Sequence, residues 1–239
     1  MRNPLISAIV PAYNEENYLS YCLRSLINQD FPKKDYEIIV IDNNSTDKTA
    51  SIAKKFGARV VKEENQGLTY ARIRGIKEAK GEIIAFVDAD TTVNKDWLKQ
   101  ILSLYQKNPK IVGLGFMADF TPKNFWTFVS QPIEEIAIKL FKIMPGYCFS
   151  FKKSAYLKSG GYLPSIKFSE DVFISKRLKR VGQVMALKNH QILTSSRRFH
   201  SLRNFFPYVS KIIISFLTVL FINHSFFQLG VVRQKEPKL

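Results

Sequence analysis

A chain of 239 residues, 46% hydrophobic and 23% charged, has a globular balance that excludes disordered and collagen-like chains and suits one large α/β domain or two small ones. Its net charge of +16 is unevenly spread: residues 1–120 carry 17 basic and 15 acidic side chains, whereas residues 121–239 carry 19 and 5. The cationic half calls for an anionic neighbour, whether nucleic acid, acidic lipid or a phosphorylated substrate. Two cysteines, Cys22 and Cys148, are too few for a disulfide framework and point to a reducing compartment.

The apolar run 5–10 ends at Pro11. It is too short for a signal peptide and reads as a strand buried on both faces. Residues 15–28 place Leu19, Cys22, Leu23, Leu26 and Ile27 at helical spacing, and 37–41 (EIIVI) form a second buried strand ending at Asp42. Ser45 or Thr46 is expected to cap the next helix, which Gly57 closes. A short strand at 59–61, a helix over 68–79 and a strand at 83–87 (IIAFV) follow. This alternation predicts a mostly parallel sheet flanked by helices, with ligands bound beyond the carboxyl ends of its strands.

Those ends are chemically distinctive. The first strand delivers Pro11, Ala12, Tyr13, Asn14 and Glu15, the second Asp42, Asn43 and Asn44, and the fourth Asp88, Ala89 and Asp90. Neither G-x-G-x-x-G nor G-x-x-x-x-G-K-[ST] is present, so a dinucleotide fold and a P-loop are unsupported. Two acids one residue apart at a strand end suit a hard divalent cation, Mg²⁺ or Mn²⁺, that neutralises a diphosphate. A solvated turn is the alternative for the same residues.

The ordered set V10-P-A-Y-N-E-E, D42-N-N-S-T-D-K-T, N65-Q-G with A71-R and G75-I, F86-V-D-A-D, G160-G-Y and E170-D resembles the family 2 glycosyltransferases of GT-A fold over residues 5 to about 200. One departure is Ile73, where the family often has Asn. The resemblance implies an inverting transferase that uses a nucleotide-diphospho-sugar, a UDP- or GDP-sugar. It implies that Asp42 holds the base, that Pro11, Ala12, Tyr13 and Glu15 line the nucleotide, and that Arg72 reaches the base or phosphates. Asp88, Ala89 and Asp90 would then set the metal on the diphosphate. Of the five acids in the cationic half (Glu134, Glu135, Glu170, Asp171 and Glu236), Asp171 matches the family's base position, with Glu170 its neighbour. Both also suit a helix's first turn.

Further along, Arg197 and Arg198 could grip the donor diphosphate or an anionic acceptor bidentately, or form a solvated basic patch. His200 is either a further metal ligand or a structural histidine. Residues 212–232 have the length of a membrane span, but Asn223, His224 and Gln228 make an interfacial apolar segment the better expectation, with packing on the protein the alternative. Phe125, Trp126, Phe128 and Val129 either join that surface or pack in the core. The expected organisation is a catalytic domain at 1–203 and a basic, apolar segment at 204–239, on the cytoplasmic face of an anionic membrane. The acceptor would be a lipid or lipid-linked glycan. Two alternatives remain: a haloacid-dehalogenase-like phosphatase with Asp88 as nucleophile, and a basic module binding membrane or nucleic acid. The first lacks the later acidic pair it needs. The second leaves the strand-end acids unexplained and lacks an RNA-reading motif, so nucleic acid is not an expected partner.

Overall fold

The first apolar run forms β1 (Ile6–Ala12), buried along its whole length. The computed structural model describes residues 3–197 together with Ser210, Ile213 and Leu217. Helix α1 (Leu19–Ile27) leads to β2 (Tyr36–Asp42), α2 (Thr49–Lys55) to β3 (Arg59–Lys62), and α3 (Leu68–Glu78) to β4 (Ile83–Val87). The chain continues through β5 (Thr91–Thr92), α4 (Trp97–Lys107), β6 (Ile111–Thr121), α5 (Phe125–Phe141), β7 (Cys148–Lys152), α6 (Lys153–Lys158), α7 (Glu170–Leu178) and β8 (Gln183–Ser195). All eight strands form one sheet in the order β3-β2-β1-β4-β7-β6-β8-β5. The pairs β1–β2, β1–β4, β2–β3 and β6–β8 are parallel, as the alternating pattern predicts. Strand β7 runs antiparallel to both β4 and β6, and β5 antiparallel to β8.

Because strand side chains alternate between faces, the sheet separates two apolar layers. Ile6, Ala8 and Val10 of β1 and Ala85 and Val87 of β4 pack with Leu19, Cys22, Leu23 and Leu26 of α1 and Trp97, Leu98 and Ile101 of α4. Ile9, Ile39, Ile41, Ile84 and Phe86 point the other way, onto Ala71 and Ile76 of α3 and Ile174 and Leu178 of α7. Each fully buried large side chain contributes about 1.5–3 kcal/mol. Cys22 and Cys148 are free and buried, in keeping with a core that needs no staple.

Two helix starts differ from expectation. Ser45 and Thr46 do not cap α2. Asp47 Oδ1 instead accepts from the Thr49 N–H at 2.9 Å, while Ser45 and Thr46 bond across to Asn14. Helix α1 begins only at Leu19, and the N–H groups of Glu15 and Glu16 before it donate to Thr49 Oγ1 and Asp47 Oδ2. The core-packing alternative for the start of α5 is also corrected, since Phe125, Phe128 and Val129 are exposed. Arg198, His200 and the segment 204–239, apart from Ser210, Ile213 and Leu217, lie outside the described residues.

Strand β6 passes against the turn before β7 at Gly115, where an added Cβ would sit 2.5 Å from Pro145 Cδ and 2.7 Å from Met144 Cα. Gly115→Ala is therefore expected to lower stability by about 1–3 kcal/mol through overpacking, read as a lower urea midpoint with an unchanged slope.

Candidate active site

The carboxyl ends of β1 and β2 are joined by reciprocal hydrogen bonds. Asn14, at φ 53°, donates its N–H to Ser45 Oγ and accepts the Thr46 N–H. Glu15 N–H donates to Thr49 Oγ1 at 2.7 Å, and Glu16 Oε2 accepts the Lys48 N–H at 3.1 Å. Asn14 and Asn44 both take the left-handed conformation, which asparagine tolerates better than other residues with a side chain. Asp42 is buried and accepts the Ser45 N–H through Oδ1. Asn43 fixes the third loop, donating to the carbonyls of Glu63 and Asn65 and accepting the Gly67 N–H that precedes α3. Pro11 and Ala12 are buried within β1 and Tyr13 is half-buried beyond it.

Asp88 and Asp90 follow β4, with Ala89 buried between them. Arg197, just past β8, reaches back to this rim. Its Nη2 lies 2.6 Å from Glu15 Oε1 and 3.0 Å from Asp90 Oδ2, with the guanidinium over the Tyr18 ring at 4.5 Å. The fields of these acids converge on α1: the Cys22 thiol is pushed up by burial first, then by Asp90, Asp88 and Glu15. Paired carboxylates are hard oxygen donors of the kind Mg²⁺ and Mn²⁺ take, commonly one or two at a time alongside substrate phosphates. The residues at the end of β4 fit such a cation, and a positive group already lies against Asp90.

Arg72 is fully buried in α3. Its Nη1 donates to Glu170 Oε1 at 2.7 Å and its Nη2 to the Gly146 carbonyl at 2.6 Å, with Asp88 Oδ1 3.7 Å away. The guanidinium lies over the rings of Phe149 and Phe86, 4.9 and 5.7 Å from their centroids. Burial acts to lower its pKa, but the charges of Glu170, Tyr162 and Asp88 outweigh this and raise it. Arg72, expected from its motif to reach the base or phosphates, here ends on Glu170 and the Gly146 carbonyl, with Asp88 at the rim beside it.

Helix α7 begins at Glu170, after Ser169 at φ 52°. Such a conformation for serine is held only by its surroundings. Asp171 Oδ1 accepts the Val172 N–H. Loss of solvent first, then the neighbouring Glu170 carboxylate, push the Asp171 carboxyl up to about 7, against the pull of Arg72. A Cβ on Gly146 would stand 3.2 Å from Asp171 Oδ2, so glycine leaves that carboxyl room in its present position. The G160-G161-Y162 turn has both glycines at positive φ and buries Tyr162 near this cluster, its N–H donating to Tyr156 Oη. Among the described residues no group of three or more metal-ligating side chains forms a cage.

Glu134 was only one of five acids in residues 121–239; the fold brings it into this cluster. Burial, then Asp171 and Glu135, push its carboxyl up to about 8. The signal for it was periodicity: Thr127, Glu134 and Ile138 share the inward side of α5, and Thr127 and Ile138 are buried. Tyr147 is also part of this environment, its pKa raised by burial and by Glu134.

Two expectations follow. Arg72→Met leaves Glu170 buried beside no cation and should cost about 3–5 kcal/mol, much of it recovered in Arg72→Met/Glu170→Leu; thermal unfolding of the three proteins measures this. An acid whose folded pKa exceeds its unfolded value binds its proton more tightly when folded, so its ionisation opposes folding. The melting temperature of Asp171→Asn relative to the parent should therefore rise between pH 4 and pH 7 and level off above.

The glycosyl transferase family 2 profile matches residues 7–165. A Methanococcus voltae protein, dolichyl N-acetyl-alpha-D-glucosaminyl phosphate 3-beta-D-2,3-diacetamido-2,3-dideoxy-beta-D-glucuronosyltransferase, is 32% identical over 139 residues, covering 54% of this chain and 43% of its own. Glycosyltransferase AglE of Haloferax volcanii is 37% identical over 106 residues, covering 42% and 35%. The chain thus spans less than half the length of these relatives. Among solved structures, mannosyltransferase PcManGT from Pyrobaculum calidifontis, in complex with GDP-Man and Mn²⁺, aligns with a TM-score of 0.70 at 20% identity over 92% of this chain and 64% of that one. S. aureus TarS 1-349 in complex with UDP-GlcNAc aligns at 0.65 and 23% identity over 80% and 58%. The architecture is that of the GT-A transferases, and with the profile spanning well over half its length, the chain belongs to glycosyl transferase family 2.

Proposed function

We propose that this chain transfers a sugar from a nucleotide-diphospho-sugar to an acceptor hydroxyl, inverting the anomeric centre, with Asp171 as the base. The observation that carries the reading is the Arg72 bridge. One buried guanidinium links Asp88, at the rim that would hold the diphosphate, to Glu170, the neighbour of a carboxyl poised near neutral pH. Glu170 is committed to the ion pair, so Asp171 is the member left to move a proton. A base of that pKa suits work at physiological pH.

In this reading the linked loops that carry Asp42, Tyr13 and Glu15 hold the nucleoside, and Asp88 and Asp90 would hold a divalent cation. Such a cation supplies positive charge to a leaving diphosphate. Ionised Asp171 accepts the acceptor's hydroxyl proton as that oxygen bonds to the anomeric carbon. The carbon–oxygen bond to the diphosphate breaks on the opposite side and its electron pair leaves with the diphosphate. Arg197 exchanges Asp90 for the donor phosphates, and Arg198 belongs to the same basic tract. His200 stays a candidate metal ligand. The neighbours solved with UDP-GlcNAc or with GDP-Man and Mn²⁺ support the donor class.

A lipid-linked acceptor is supported by the Methanococcus voltae relative, whose name contains a dolichyl-linked sugar phosphate, and by the cationic C-terminal half. Among the described residues no helix is long and apolar enough to cross a membrane. Peripheral attachment at a cytoplasmic face, through 204–239 beyond a catalytic domain at 1–203, fits this reading. Neither the phosphatase nor the non-catalytic module has an observation in its favour.

Calorimetry with UDP and GDP, with and without Mn²⁺, tests the donor site. Metal-dependent binding of one nucleotide, lost in Asp88→Asn/Asp90→Asn, is expected; folded protein that binds neither sinks the proposal. Asp171→Asn should keep donor binding and lower kcat by about 10²–10⁴-fold, and the parent's kcat/KM should rise with pH through about 7 as the base ionises.

A further inference from the structure

Helix α5 has two contrasting sides. Inward, Thr127 and Ile138 are buried and Glu134 enters the acid cluster beside Asp171. Outward, Phe125, Phe128, Ile133, Ile136 and Leu140 are exposed by 68, 79, 64, 65 and 70%, with Val129 among them. At 100° per residue these positions fall within an arc of about 140°. A helix of seventeen residues with so large an apolar stripe in water is unusual for a surface with no partner. The helix is held firmly in this orientation, because Glu135 pairs with Lys188 at 2.8 Å and Gln131 donates to Asp119.

Lysines frame the stripe. Lys123 precedes the helix and Lys139 lies beside Leu140. Lys139, Lys142 and Lys179 then line a cavity of about 540 Å³ between the end of α5 and the start of β8. Lys179 Nζ donates to the Phe141 carbonyl at 2.7 Å, which fixes it at the end of the helix. Burial first, then Lys142 and Lys176, lower its pKa, a crowding of like charge that an anion would relieve.

We propose that the outer face of α5 is the docking surface for an anionic phospholipid bilayer, its apolar side chains entering the acyl boundary and Lys139, Lys142 and Lys179 meeting headgroup phosphates. Charge selects this occupant. Two copies of a lysine-framed face repel each other, whereas an anionic leaflet attracts it. Because the opposite side of the same helix carries Glu134 to Asp171, docking would hold the acid cluster at a fixed height over the membrane. This consequence rests on the lipid-linked acceptor proposed above, and the docking itself does not.

The experiment is co-sedimentation of the full chain with phosphatidylcholine vesicles, with and without phosphatidylglycerol, in parallel with nucleotide calorimetry on the same samples. The parent should partition to the mixed vesicles. Ile133→Gln/Ile136→Gln/Leu140→Gln, which keeps good helix formers at exposed sites, should weaken partitioning about tenfold or more. Lys139→Gln/Lys142→Gln/Lys179→Gln should lose the preference for phosphatidylglycerol, about fivefold per lysine. A parent that stays in the supernatant, or an apolar triple variant that partitions as the parent does, overturns the proposal. So does a parent dimer in sedimentation velocity that the apolar variant dissociates without changing vesicle binding, which would assign the face to a second copy. Nucleotide binding without vesicle binding defeats the docking surface alone; vesicle binding without nucleotide binding defeats the transferase reading alone.

Discussion

The site depends on one buried positive charge. Arg72 sits with no exposed surface, over phenylalanine rings and against three partners: Asp88 after β4, the Gly146 carbonyl before β7, and Glu170 at the start of α7. A buried ion pair contributes little net stability, since desolvation offsets most of the attraction. What it contributes here is geometry. Removing either partner strands a charge, so the three segments are held in one arrangement. The strained entry at Ser169 and the close approach of Gly146 to Asp171 both lie within that arrangement.

Around that anchor the two sides of the site are built differently. The β1 and β2 loops are tied by backbone N–H groups donating to side-chain oxygens, in both directions across the gap. Such bonds fix the backbone of each loop against side-chain tips of the other, which holds both loops in one arrangement. The other side is electrostatic. Asp171 raises the proton affinity of Glu134 and Glu170 raises that of Asp171, while Arg72 and Arg197 pair with acids nearer β1 and β4. The candidate site therefore holds guanidinium-paired carboxylates beside protonation-prone ones.

Much of the first half was legible in order. Continuous apolar runs gave β1, β2 and β4 because strands buried on both faces need no alternation, and the acids that follow them mark a rim. The helix starts were misjudged where polar side chains bond across loops instead of along their own helix. Ser45 and Thr46 look like caps in one dimension but face Asn14 in three. The partners of Arg72 were hidden for a related reason, because its full burial and its contacts with Glu170 and Gly146 depend on how α3 packs.

By itself the sequence determined the alternating strands and helices, the acids at three strand ends and the motifs that carry the family, because these are local patterns of side-chain type and spacing. Only the tertiary structure decided that Arg72 points inward, that Arg197 returns across about a hundred residues to Asp90, and that Glu134 joins Asp171 while the rest of α5 faces outward. Each of these depends on which face of an element meets which neighbour. That choice is made by the packing of the whole sheet, with β7 inserted antiparallel between β4 and β6, and no short stretch of sequence contains it.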